Sequence, residues 1–139
     1  MDSPLISGAM KPRGCSIVFL NRRNQILLLL RDEKPGLPCA GMWDLPGGHV
    51  EADETPEQCI VREMDEEMGL TLCPPALFQV VAFDDRTEYV FWQPSDLDIH
   101  AIVLTEGQCL KWFDRDEACG TVLAFGFNQL VEAFFAAMA

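Results

Sequence analysis

The sequence predicts an α/β fold in one domain, and three features carry that expectation. Apolar runs of strand length are divided by turn residues, one strongly capped helix lies at mid-chain, and an amphipathic helix follows near the C-terminal end. A length of 139 residues is enough to bury one good core and too short for two ordinary domains. Residues 1–13, with Pro4, Gly8 and Pro12 and little periodicity, read as a flexible leader, and residues 14–139 as the domain.

Cys15 to Leu20 and Gln25 to Arg31 are rich in Ile, Val, Phe and Leu and flank the polar tetrad Asn21-Arg22-Arg23-Asn24, the pattern of a β-hairpin. Asp32 to Met42 contains Pro35, Gly36, Pro38 and Gly41 and reads as a loop. Trp43 to Gly48 then leads to a glycine pair and to Thr55-Pro56-Glu57-Gln58. Threonine at the N-cap, proline at the first helical position and glutamine three residues after the cap predict a helix from about Pro56 to Met68, with Gly69 as its stop. Leu77 to Phe83 and Tyr89 to Gln93 follow as strands around an Asp84-Asp85 turn, and Ile99 to Leu104 and Leu110 to Phe113 as later strands. Phe127 to Met138 sets Leu130, Val131, Phe134, Phe135 and Met138 at helical spacing, so that face is expected to lie on the sheet.

Composition narrows the function classes. Hydrophobic residues make up 49% and charged residues 23%, which is globular usage and excludes a disordered chain. A formal charge of −12 speaks against a nucleic-acid duplex as partner, because that work needs a basic face to displace counterions. The cysteines Cys15, Cys39, Cys59, Cys73, Cys109 and Cys119 stand singly, with no C-x-x-C pair, and read as scattered small hydrophobes in a reduced compartment, with no disulfide framework. The apolar runs Ile17 to Leu20 and Ile26 to Leu30 fall far short of the roughly 20 residues of a membrane span. A cytoplasmic, membrane-free protein is expected.

The chemistry concentrates on the capped helix. Glu63, Glu66 and Glu67 stand at i, i+3 and i+4, which gathers three carboxylates into an arc of about 100°. Like charges so placed repel by a few tenths of a kcal/mol per pair, so the stripe is either a solvated face or a site for a hard divalent cation. Helix geometry alone leaves both readings open.

The surroundings add a longer pattern. Gly48, five residues, Glu54, seven residues, Arg62-Glu63, Met64, one residue, Glu66-Glu67, one residue and Gly69-Leu70 resembles the complete signature box of the Nudix hydrolase family. Such a coincidence is expected in on the order of one in 10⁸ random windows, a figure that local glutamate excess relaxes by about tenfold. The resemblance extends from about Gly14 to Phe135, and Glu106-Gly107-Gln108 followed by Trp112 looks like the MutT-type branch.

The resemblance implies an α/β/α sandwich with a mixed β-sheet between helices, and a metal-dependent hydrolase cleaving a diphosphate linkage in a nucleoside diphosphate derivative. An oxidised or non-standard nucleoside triphosphate is the leading substrate class. A nucleotide-sugar hydrolase and a non-catalytic nucleotide-sensing module are the alternatives. It assigns Mg²⁺, with Mn²⁺ as substitute, to the Gly47 carbonyl and to Glu63, Glu66, Glu67 and Glu106, with Glu63, Glu66 and Glu106 as catalytic carboxylates. Arg31 is expected to bind phosphate and Asn128 to read the base, although N-capping competes for Asn128; Gly48, Glu54, Arg62 and Gly69 are expected to brace the site. A homodimer is carried as the open assembly state.

Overall fold

The computed structural model describes residues 11–139, and its organisation follows from one strand that is covered on both faces. In β1 (Arg13–Leu20) six consecutive residues, Gly14 to Phe19, are buried, so its side chains divide between two cores. Cys15, Ile17 and Phe19 point into one and Val18 into the other. The same division continues in β2 (Ile26–Leu30), where Leu27 and Leu29 face one way and Ile26 and Leu28 the other.

Along one edge β1 pairs in parallel with β6 (Thr87–Pro94), whose outer side pairs antiparallel with β5 (Ala76–Ala82). The other edge of β1 is shared. Near its C-terminal end it meets β2 at Leu20, and near its N-terminal end it pairs with β4 (Gly47–His49) through Gly14, Cys15 and Ser16. Beyond β2 come β3 (Trp43–Asp44) and β7 (Cys109–Phe113), both antiparallel to it. Helix α1 (Pro56–Met68) covers one face with Cys59, Ile60, Met64 and Met68. Helices α2 (Arg115–Cys119) and α3 (Asn128–Met138) cover the other, where Leu130, Val131, Phe134 and Phe135 are buried. This is the expected α/β/α sandwich.

Several local expectations change. Residues 1–10 of the expected leader lie outside the described residues, while Arg13 already belongs to β1 because the β6 ladder reaches it: Arg13 pairs with Thr87, whose N–H donates to the Pro12 carbonyl. Ile99 to Leu104 is not a strand. Asp98 caps a single 3₁₀ turn, Ile99–Ala101, and Ile99, Ile102 and Leu104 pack against the α1-side core. Helix α2 was not foreseen, although Asp114 and Glu117 form a complete capping box at its start. Cys15 and Cys59 are joined by a disulfide rather than standing as separate small hydrophobes, because β1 and α1 bring their Cα atoms to 6.6 Å in the buried interface. Cys39, Cys73, Cys109 and Cys119 are free. Among the described residues no helix is long and apolar enough to cross a membrane.

The start of α1 decides where the glutamates stand. Thr55 Oγ1 accepts from the Gln58 N–H at 3.1 Å, and the Gln58 side chain accepts from the Thr55 N–H at 2.9 Å. At the other end Gly69 adopts φ 66° and donates its N–H to the Asp65 carbonyl, closing the helix. Thr55→Ala is expected to lower the unfolding free energy by about 0.5–2 kcal/mol, read by denaturant titration. A mutant with the parental midpoint would contradict a structural role for this cap.

Candidate active site

The glycine pair brings the carboxylate helix close to the sheet. A Cβ at Gly47 would collide with the Cys15 carbonyl oxygen, and a Cβ at Gly48 with the Glu63 carboxylate. Gly47 therefore needs to be glycine for β4 to lie against β1, and Gly48 leaves the space on β4 that the Glu63 side chain of α1 occupies.

Arg62 organises that face. Its Nε donates to Glu54 Oε2 at 2.7 Å and its Nη2 to Glu54 Oε1 at 2.9 Å, a bidentate pair. The other Nη1 donates to Glu63 at 2.8 Å and to Glu66 at 3.2 Å, while Nη2 also reaches the His49 carbonyl at 3.2 Å. The guanidinium hydrogen bond holds the Glu54 carboxyl down at about 2, and Glu54 in turn accepts from the Glu51 N–H. The pair with Glu54 pushes Arg62 further above its already high ordinary value.

Glu63 and Glu67 behave differently. Burial pushes Glu63 upward, and burial together with the Glu63 charge pushes Glu67 up to about 8, with Glu106 and Glu66 adding to the repulsion. Gathering these carboxyls at a half-buried end of the helix disfavours ionising both of them together. Glu66 is more than half exposed and leans on Arg62.

The chain then returns across this helix end. Thr105 donates its N–H to the Glu67 carbonyl at 3.2 Å, and the Gln108 N–H and side-chain amide reach the carbonyls of Leu30 and Arg31, each at 2.8 Å. Gly107, at φ 90°, lies against Leu29 and donates its N–H to Asp32. These ties place Glu106 on a cleft of about 150 Å³ lined also by Gly47, Glu67 and Arg31. A larger cavity of about 430 Å³ adjoins it, sharing Gly47, Arg31 and Asp44 and lined also by Gly48, Glu88 and Phe125 among others.

The structure thus brings Gly47, Gly48, Glu54, Arg62, Glu63, Glu66, Glu67, Glu106 and Arg31 into one region. Asn128 is not brought there, and it does not cap α3. Its Oδ1 accepts from the Leu123 N–H and its Nδ2 donates to the Thr121 carbonyl, so both halves of the amide hold the segment before the helix. Arg31 lines both cavities, with Nη1 on Asp44 at 3.1 Å and Nε on the Pro38 carbonyl at 3.0 Å. Sequence reasoning missed Asp44 and Glu88, buried carboxylates of β3 and β6. The signal available was a charged residue at an inward position of an apolar strand.

The sequence pattern of the NUDIX domain family matches residues 10–134. The chain belongs to the Nudix family. Among solved structures, this Nudix protein is similar to the MutT protein of Methanosarcina mazei Go1, at 27% identity and a TM-score of 0.80, over 95% of this chain and 99% of that one. Over 124 residues it is 32% identical to the CTP pyrophosphohydrolase of Escherichia coli strain K12, covering 85% of this chain and 87% of that protein. Over 67 residues it is 36% identical to the 8-oxo-dGTP diphosphatase of Proteus vulgaris, covering 48% of this chain and 58% of that protein. The match thus spans little more than half of this last relative.

The donor set fits a hard divalent cation. Among the described residues no three carboxylate, thiol or imidazole groups are placed to hold a metal ion by themselves. Mg²⁺ does not require three, since it binds through one or two carboxylates and fills its remaining positions with water and phosphate oxygens. The burial and crowding that push Glu63 and Glu67 upward mark where positive charge is favoured.

The raised Glu67 acid gives stability a pH dependence in cation-free protein. An unfolded glutamate titrates near 4.5, whereas Glu67 in the fold keeps its proton up to about 8, so between these values folding takes up a proton and stability falls as pH rises. Asp44, raised from 3.8 to about 6 by burial, acts in the same direction at the lower end of that window. Glu54, lowered from 4.5 to about 2, contributes fully above pH 4.5 and loses its contribution only on strong acidification. The denaturant midpoint measured in EDTA is expected to be higher at about pH 5.5 than at about pH 8, and Glu67→Gln is expected to flatten the difference. Equal midpoints in the parent protein would contradict a raised Glu67 acid.

Proposed function

We propose that the protein is a divalent-cation-dependent hydrolase that cleaves the diphosphate linkage of a nucleoside diphosphate derivative, with an oxidised or non-standard nucleoside triphosphate as the leading substrate class. One observation carries the reading. Glu63 lies against Gly48 on the face of α1, and Glu67 shares a cleft with Glu106 and Gly47 that adjoins a cavity large enough for a nucleobase. Relatives that cleave CTP and 8-oxo-dGTP, as their names state, support the substrate class.

In this reading the Gly47 carbonyl and the carboxylates of Glu63, Glu66, Glu67 and Glu106 hold Mg²⁺, or Mn²⁺ in its place. The cation, when bound, withdraws charge from phosphoryl oxygens and lowers the pKa of a coordinated water. The protein's own work is positional. Arg62 keeps Glu63 and Glu66 at fixed places on α1, while Glu54 takes most of its charge and prevents it from neutralising the site. Arg31 faces both cavities from the end of β2 and neutralises phosphate oxygens there. Water attacks one phosphorus, a carboxylate of the cluster accepts its proton, and the anhydride P–O bond breaks. A nucleoside triphosphate so cleaved yields a nucleoside monophosphate and pyrophosphate.

Neutralising the carboxylates tests the reading, since a merely solvated stripe and a cation site respond in opposite ways. Glu66→Gln and Glu67→Gln are each expected to lower turnover by about 10²-fold or more, at least roughly 2.7 kcal/mol of transition-state stabilisation, while the cation-free fold is unharmed or slightly stabilised. Excess EDTA is expected to abolish turnover and Mg²⁺ or Mn²⁺ to restore it. The measurement is steady-state kinetics on a nucleotide panel; near-parental turnover in both variants, or turnover in EDTA, would contradict the proposal.

A further inference from the structure

The loop that carries Glu106 is held by hydrogen bonds more than by burial. Residues 102–108 join the Ile99–Ala101 turn to β7; Ile102 and Leu104 reach the α1-side core, whereas Thr105, Glu106 and Gln108 are exposed. The direction of the Glu106 side chain is therefore set by the backbone on either side of it. On the N-terminal side Thr105 is tied to the end of α1 through the carbonyls of Glu66 and Glu67. On the C-terminal side Gln108 is tied to the end of β2 through the carbonyls of Leu30 and Arg31. All four of these acceptors are main-chain atoms.

Gly107, next to Glu106, is held differently. Its N–H donates to a side chain, Oδ2 of Asp32, at 3.2 Å. That N–H belongs to the planar peptide that joins Glu106 to Gly107, so the bond fixes the plane leaving Glu106. Asp32 is itself anchored, since its carbonyl accepts the Gly41 N–H at 3.1 Å and its side chain is 29% exposed. Lys34 Nζ stands 3.9 Å from the same Oδ2, but with its side chain 75% exposed this pair contributes little to holding the carboxylate. Asp32 also lines the smaller cleft beside Glu67 and Glu106, where one more anion adds to the repulsion. What its position gains is a charge-assisted bond to the Gly107 N–H.

We propose that Asp32 is a positioning residue for Glu106: by accepting the Gly107 N–H it fixes the peptide after Glu106 and holds that carboxylate on the cleft beside Glu67. The inference rests on the reading of this cleft as a divalent-cation site, and it assigns Asp32 no contact with the cation or the substrate. A ligand held in place binds a cation without first being ordered, whereas a ligand on a loosened loop must be ordered at the moment of binding. Loss of the tie therefore weakens cation binding through Glu106 and through no other group.

The experiment is a double-mutant cycle on cation affinity, read as the Kd for Mg²⁺ by calorimetric titration of the cation-free protein. Asp32→Ala is expected to raise Kd by about tenfold. Asp32→Asn, whose amide oxygen still accepts the Gly107 N–H, is expected to stay within about threefold of the parent. In a Glu106→Ala background, where there is no carboxylate to position, adding Asp32→Ala is expected to change Kd by less than about threefold. Hydrogen exchange at the Gly107 amide reports the tie itself, and is expected to be faster by about tenfold or more in Asp32→Ala and near parental in Asp32→Asn. Equal losses of affinity in Asp32→Asn and Asp32→Ala would show that charge rather than acceptance matters and would overturn the assignment. The same loss with and without Glu106, as a merely structural residue or a direct cation ligand predicts, would overturn it too. In both cases Mg²⁺ binding by the parent leaves the cation reading standing, whereas a parent that binds no Mg²⁺ removes the reading and the assignment together.

Discussion

The bidentate pair between Arg62 and Glu54 is the contact on which the rest of the site depends. Three glutamates on one helical arc and a fourth on a facing loop are mutually repulsive, and a fold that gathers them needs a cation of its own to hold the helix surface in order. Arg62 supplies it without filling the site. Two of its nitrogens are taken by Glu54, a residue of the preceding loop, and only one nitrogen is shared between Glu63 and Glu66. Glu67, a turn further on, has no arginine partner among the described residues, and burial with the neighbouring carboxylates pushes its acid up to about 8. The loop is tied to the helix by the same residue that orders the carboxylates, so local folding and site assembly are one event.

The second constraint is steric. Gly48 leaves room on β4 for the Glu63 side chain of α1, and Gly47 lets β4 lie against the backbone of the buried strand β1. The Cys15 carbonyl that crowds Gly47 belongs to the residue joined to Cys59 of α1, which ties strand, glycine pair and helix together at one point. Two adjoining cavities open beside the glycines and share Gly47, Arg31, Asp44 and Leu45. Glu67 and Glu106 line the smaller one, and Glu88 and Phe125 the larger.

What was legible in the sequence follows from how local its causes are. The helix Pro56–Met68 was readable to the residue, because Thr55, Gln58 and Gly69 act within one turn of the ends they define. The box that spans Gly48 to Leu70 was readable because its spacing belongs to one loop and one helix. Ile99 to Leu104 was misread because an apolar run has the same composition whether it pairs in a sheet or packs singly against a core, and Asp98 decided for a turn. Asn128 was misread because an amide before a helix fits a cap, a base contact and a loop tie alike; contact with Thr121 and Leu123 selected the last. The disulfide and the Asp44 and Glu88 wall depend on β1 meeting α1, β3 and β6 across long separations, which no window of sequence displays.

The central claim is that the carboxylate face of α1, where Glu63 and Glu67 are crowded and partly buried, is the place of a divalent cation. It is tested most directly by calorimetric titration of the cation-free protein with Mg²⁺ at about pH 7, repeated in buffers of different ionisation enthalpy. Binding is expected with release of a proton, approaching one per site, and the release is expected to vanish above about pH 9 where Glu67 is already ionised. Absence of Mg²⁺ binding, or binding with no buffer-dependent heat at about pH 7, would contradict the account.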